Sequence, residues 1–91
     1  MNSTKKIIDE YLEALRGFHE IEFDYKDSGY CIEPRHDGMN GYNISKFSKD
    51  RSSKGTTIAT TKTPEEIIEL KCFDGKTLAE IVGDIDNGII F

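Results

Sequence analysis

The stretch "HEIEFDY", residues 19–25, decides the fold class of this chain. His19, Ile21, Phe23 and Tyr25 alternate with acidic residues, so that one side of the stretch is mostly apolar and the other is acidic. A period of two is the pattern of a β-strand with one buried face. The sequence therefore predicts a strand here whose outer face carries carboxylates.

The residues before this strand follow a different period. The apolar positions recur at helical spacing, with charged residues between them; they are Ile7, Ile8, Tyr11, Leu12 and Leu15. This spacing predicts an amphipathic helix over residues 4–16, with Gly17 as its C-cap. The chain thus begins with a helix and then turns into a strand.

The middle of the chain returns repeatedly to the strand pattern. Turn residues separate the strands, and Pro34 ends one of them because proline cannot donate to a β-ladder. The predicted segments are a turn at 26–29, a strand at 30–33, a loop at 35–41, a strand at 42–47, a polar loop at 48–55 and a Thr-rich edge strand at 56–61.

The last third of the chain returns to helix. Thr63 precedes Pro64 and stands three residues before Glu66, and Thr77 stands three residues before Glu80, so two capping boxes are predicted. Asp74-Gly75 supplies the turn between them. The run "FDGKTLAEI", residues 73–81, contains a Gly-Lys-Thr, but it lacks the first glycine of a phosphate-binding loop, and we interpret it as helix stop, turn and helix start.

The C-terminal segment carries one prediction and one open alternative. Asp86-Asn87-Gly88 is predicted to be a further turn. The apolar "GIIF", residues 88–91, either adds a strand to the sheet or packs under a helix.

These segments predict a single small α+β domain over residues 1–91. Its element order is α-β-β-β-(β)-α-α, an antiparallel meander of three to four strands with the helices on one face. The predicted core joins sheet residues Ile21, Phe23, Tyr25, Ile32 and Ile44 to helical residues Ile8, Leu12, Leu15, Ile67, Phe73, Leu78 and Ile81.

The charge of the chain is unevenly distributed. The net charge is −5, but residues 46–62 hold five basic residues and one acidic residue, a local charge of +4. A basic loop of this kind is a candidate contact for an acidic partner or for phosphates. The candidate contact residues are Lys46, Lys49, Arg51, Lys54 and Lys62.

No catalytic, cofactor or metal site is predicted. His36-Asp37 could form a base and its orienting carboxylate, but neighbouring residues in a turn usually point apart, and no nucleophile is evident near them. Cys31 and Cys72 could be imagined as zinc ligands with a histidine, yet no two of these residues have the paired spacing of a zinc site. We therefore expect reduced, buried thiols, no cofactor and no enzymatic activity.

The remaining evidence bears on location and partners. Two cysteines fall short of a disulfide framework, and the sequence contains neither a signal-peptide pattern nor an apolar run that could span a membrane, so a cytoplasmic protein is expected. The order of elements is similar to that of double-stranded-RNA-binding domains, but both predicted C-terminal helices begin with acidic residues where those domains are basic, and we assign no family.

The sequence favours a small non-enzymatic protein that binds another protein, in an accessory, immunity or antitoxin-like role. The alternative is a nucleic-acid-binding module that uses the basic segment 46–62.

Overall fold

The computed structural model describes residues 3–35, 38, 40–50, 52 and 55–91. It has an N-terminal helix, a five-stranded antiparallel sheet and short C-terminal helices, which confirms the predicted α+β class and element order. The elements are α1 (Ser3–Arg16), β1 (Ile21–Tyr25), β2 (Ser28–Pro34), β3 (Tyr42–Ser48), β4 (Thr56–Thr61), α2 (Pro64–Glu69), α3 (Leu78–Ile81), a 3-10 turn (Val82–Asp84) and β5 (Asp86–Ile90).

Helix α1 ends in a way that the sequence did not indicate. The N–H of Gly17 still closes the last turn, donating to the carbonyl oxygens of Glu13 and Ala14 at 3.1 Å each. The left-handed position, however, is taken by Phe18, with φ 62°. The N–H of His19 then returns to the Ala14 carbonyl at 2.9 Å, the bonding of a Schellman end, so a phenylalanine stands where glycine is the usual residue.

The strands lie in the order β4-β3-β2-β1-β5, and all neighbours are antiparallel. The register aligns Ile21, Ile32 and Ile44 across three strands, and all three are fully buried under the helices. Phe73 packs into the same face, with its ring centroid 5.7 Å from that of Phe23 and 5.1 Å from that of Tyr30. The core therefore lies between one face of the sheet and the helices. Ile8 and Leu12, predicted for the core, are half-buried.

Both threonines cap their helices as predicted, but the full capping box is shown for Thr77 alone. The Thr63 hydroxyl accepts from the N–H of Glu66 at 3.3 Å. Thr77 and Glu80 form the full reciprocal box, at 2.9 and 3.2 Å. The "FDGK" run forms a tight two-residue turn, since Phe73 and Lys76 exchange two backbone hydrogen bonds of 3.1 Å each.

Strand β5 answers the open question of the C-terminal segment and corrects one prediction. The turn predicted at 86–88 is wrong, because these residues lie in β5 and pair with β1. One extra residue in β5 forms a bulge between the pairs Glu22–Ile89 and Asp24–Asp86, and Asn87 takes a left-handed conformation with φ 54°. The turn-forming residues thus serve a bulge rather than a chain reversal.

The second face of the sheet carries the polar side chains of the strand alternation. Glu22, Cys31, Glu33 and Asn43 lie on this open face, whereas the helices pack against the opposite one. None of the helices in the described part of the chain is long and apolar enough to cross a membrane.

Candidate functional site

The outer edge of β5 has unpaired backbone groups at known positions. The N–H of Phe91 donates to the Glu20 carbonyl at 2.8 Å, and Ile89 lies opposite Glu22. In an antiparallel ladder, residues alternate between facing the neighbouring strand and facing away from it. Hence Phe91 and Ile89 bond towards β1, while the N–H and carbonyl groups of Ile90 face outwards from the sheet.

This edge is also apolar. Three consecutive large side chains are exposed, Ile89 by 51%, Ile90 by 42% and Phe91 by 58%. Ile90 lies opposite the core residue Ile21 and so points to the helix side, whereas Ile89 lies opposite Glu22 on the open face. Apolar residues in a row on an exposed edge are uncommon, because natural edge strands are usually protected against pairing with another chain.

A groove runs beside β5 on the helix side. We call it the α1–β5 groove; it consists of two adjoining depressions of about 810 and 700 Å³ that share Glu10 and Ile90. The α1 wall includes Lys5, Lys6, Asp9, Glu10, Glu13 and Ala14, with Gly17 just after the helix, and the β5 wall includes Ile90 and Gly88. Since α1 lies over the sheet, the groove is the space that the side chains of a further strand would fill.

Two contacts hold β5 in place against the rest of the fold. The Nδ1–H of His19 donates to the main-chain oxygen of Phe91 at 2.7 Å. The Nδ2 of Asn87 donates to the buried carboxylate of Asp24 at 2.9 Å. These two hydrogen bonds, one near each end of β5, add to its backbone pairing with β1.

Acidic side chains border the edge on the open face. Glu22 lies on β1 opposite Ile89, and Glu20, just before β1, lies beside Phe91. On the helix side the charges are mixed, since Lys5 and Lys6 lie on the α1 wall together with Asp9, Glu10 and Glu13. The β5 edge is thus an apolar strip with an acidic border on the open face.

The predicted basic contact residues do not lie in one place. Lys46 pairs with Thr56 at the start of β4, and its Nζ lies 5.9 Å from the Tyr30 ring centroid. Lys62 follows β4 at its other end, about 20 Å away for a strand of this length. Lys49 is exposed beyond β3, and Arg51 and Lys54 lie outside the described residues. Their binding to nucleic acid stays a prediction.

The cysteine and histidine residues weighed as zinc ligands are also separated. Cys31 lies on the open face of the sheet, and Cys72 lies beside the helices. His19 forms a hydrogen bond with the main-chain oxygen of Phe91, and His36 lies outside the described residues. Cys31 instead has Glu20 and Glu33 around it, with ligand atoms within 4.8 Å of one another.

The thiol of this cluster keeps its proton at neutral pH. Burial, a hydrogen bond to Glu20 and the neighbouring carboxylates raise the pKa of the Cys31 thiol well above its ordinary value. Its Sγ donates to Glu20 Oε1 at 3.3 Å. We assign no function to this group.

The β5 edge was missed when only the sequence was considered. The signal was present in "GIIF", because three apolar residues following a polar turn pattern either pack or bind. What the sequence could not indicate is the groove, which exists only because α1 packs over β1 and leaves β5 uncovered.

Comparison with known proteins gives no further guide to the site. The chain matches no protein-family model, no curated protein and no solved structure.

Proposed function

We propose that this chain is a non-enzymatic binding protein that receives an extended segment of a partner protein as an added strand at the β5 edge. In this mode of recognition, backbone hydrogen bonds supply affinity, and pockets for alternate side chains supply specificity. The outward-facing backbone groups of Ile90 would pair with the partner strand, and every second partner side chain would enter the α1–β5 groove.

The observation that carries the proposal is the exposure of Ile89, Ile90 and Phe91 on an edge strand beside an open groove. The opposite edge offers a useful contrast. Strand β4 is rich in threonine. It exposes one large apolar side chain, that of Ile58, which lies where the register with β3 shifts. The apolar surface is thus concentrated at one of the two edges.

The proposal is tested by selecting displayed random peptides of about twelve residues on the whole chain and measuring where they bind. We expect the selection to yield peptides that bind the Ile90→Pro variant at least tenfold more weakly than wild type, a loss of about 1.4 kcal/mol. This substitution removes an outward N–H that does not bond to β1. Ile89→Ser, which removes an exposed side chain of the same edge, should also weaken binding.

The matched control is Ile58→Ser, which removes an exposed isoleucine from the β4 edge and should leave affinity unchanged. Circular dichroism and urea unfolding establish that each variant folds. Peptides that bind Ile90→Pro and Ile89→Ser as tightly as wild type, or a selection that yields no peptide bound at β5, would contradict strand addition at this edge.

A further inference from the structure

The chemistry of the partner segment can be argued from the borders of the β5 edge. We infer that the segment is basic, with apolar and Lys or Arg side chains in alternation: apolar side chains in the α1–β5 groove, and basic ones on the open face. This inference rests on the proposed function, because it assumes that the partner pairs with β5.

The open face presents an apolar row followed by an acidic row. Ile89 of β5 lies opposite Glu22 of β1, and Phe91, just after β5, lies beside Glu20, just before β1. A strand added to β5 would stand two strand spacings, about 10 Å, from β1. Lys and Arg bury their aliphatic stems along apolar surface and extend the charge beyond it. Their stems would cover Ile89 and Phe91, and their charges would approach Glu22 and Glu20.

The helix side presents a different lining. The floor beside β5 includes Ile90, and the α1 wall includes Ala14 and Gly17, which leave room for apolar side chains of a partner. The charged side chains of this wall are mixed in sign, with Lys5 and Lys6 beside Asp9, Glu10 and Glu13, so the preference for a basic segment comes from the open face. Acidic side chains on that face would meet Glu20 and Glu22, and like charges are unfavourable at close approach.

A second copy of this chain is a less suitable occupant. Its own β5 carries Asp86 and no basic residue, so pairing of two β5 strands would bring two acidic borders together. The acidic net charge of −5 opposes this approach as well. We therefore assign the edge to a different, basic protein segment.

The test uses three synthetic peptides that differ only in their polar residue: alternating Val-Arg, alternating Val-Gln and alternating Val-Glu, each of about eight residues. Binding to the whole chain is measured by calorimetry at low and at physiological salt. We expect the Val-Arg peptide to bind at least tenfold more tightly than Val-Gln, and Val-Glu to bind most weakly. Ile90→Pro should lower the affinity for the Val-Arg peptide by at least tenfold.

Paired charge variants locate the contact. The double variant Glu20→Gln with Glu22→Gln should bind the Val-Arg peptide about tenfold more weakly than wild type. Its affinity for the Val-Gln peptide should be unchanged. The matched control, Asp27→Asn with Glu69→Gln, removes the same charge from exposed positions away from β5 and should change affinity less than about twofold.

The outcomes separate the two proposals. If the three peptides bind with equal affinity and Ile90→Pro lowers the affinity of all of them, strand addition is supported, and the inference that the partner segment is basic is wrong. If the two double variants weaken Val-Arg equally, binding follows net charge and the open-face contact is wrong. If Ile90→Pro weakens none of the peptides, or the chain forms dimers or larger assemblies through β5 instead, the inference falls together with the proposed function.

Discussion

At the scale of single residues, Phe73 has the most clearly defined role. It is fully buried, and its ring contacts those of Phe23 and Tyr30 at centroid distances of 5.7 and 5.1 Å. Removing a buried aromatic ring leaves a cavity that the surroundings fill only in part. We predict that Phe73→Ala lowers the free energy of unfolding in urea by about 3–5 kcal/mol.

Phe18 provides a control for this prediction, because its side chain is 78% exposed. Phe18→Ala should change the free energy of unfolding by less than about 1 kcal/mol, since no cavity forms. Equal losses in the two variants, or a loss below about 1 kcal/mol for Phe73→Ala, would show that Phe73 is not the anchor of the core.

Cys31 makes stability depend on pH in the alkaline range. Burial first, and then the hydrogen bond to Glu20, raises the pKa of its thiol above the ordinary value of 9.0. Above about pH 9 the unfolded chain has released this proton while the folded chain still holds it, so rising pH favours unfolding.

We therefore predict that the free energy of unfolding falls by about 1.4 kcal/mol more in wild type than in Cys31→Ser between about pH 8 and pH 10. Serine keeps a hydroxyl donor for Glu20 but does not titrate in this range. Urea unfolding across this range measures the difference. Parallel pH profiles for the two proteins would mean that the folded state does not retain the thiol proton.

At the scale of elements, the short helix α3 depends on its cap. It has a single turn, Leu78–Ile81, and Thr77 and Glu80 satisfy N–H groups in both directions. Thr77→Ala should lower the free energy of unfolding by about 0.5–2 kcal/mol, because a helix N–H loses its acceptor. Thr77→Ser, which keeps the hydroxyl, is the matched control and should lose much less. An equal loss in both variants would assign the effect to the lost methyl group.

Most elements could be predicted from the sequence because their signals are local. Strand β1 follows from alternation, α1 from helical spacing, and α2 and α3 from Thr and Glu at capping distance. Strand β5 differs, because Asp86-Asn87-Gly88 has the composition of a turn. Its bulge is held by the bond from Asn87 to Asp24, which lies 63 residues away. A local pattern cannot indicate a partner at that distance.

The candidate site shows the same limit more strongly. The composition of residues 46–62 indicated a basic segment. In the structure, Lys46 and Lys62 are separated by the length of β4. The acidic face of β1 was visible as alternation, and it became a border of the site only when β5 paired beside it. Which charges act together is decided by strand order, and strand order depends on contacts between distant segments.

At the scale of the whole molecule, the two edges of the sheet differ in character. The β4 edge is rich in threonine, and the β5 edge is apolar and bordered on the open face by Glu20 and Glu22. This difference suits a protein that pairs with a partner at one edge. Lys46, which pairs with Thr56 of β4, and Lys62, which directly follows β4, lie at the opposite end of the strand order from the β5 edge.

The most direct test of strand addition is amide hydrogen exchange at residues 88–91, with and without the tightest-binding selected peptide. Without peptide, Ile89 and Phe91 should exchange slowly because they bond to β1, whereas Ile90 should exchange quickly because its N–H faces outwards. With peptide, the exchange of Ile90 should slow by at least about tenfold. Unchanged exchange at this amide in the fully bound protein would contradict the proposal that a partner strand pairs with β5.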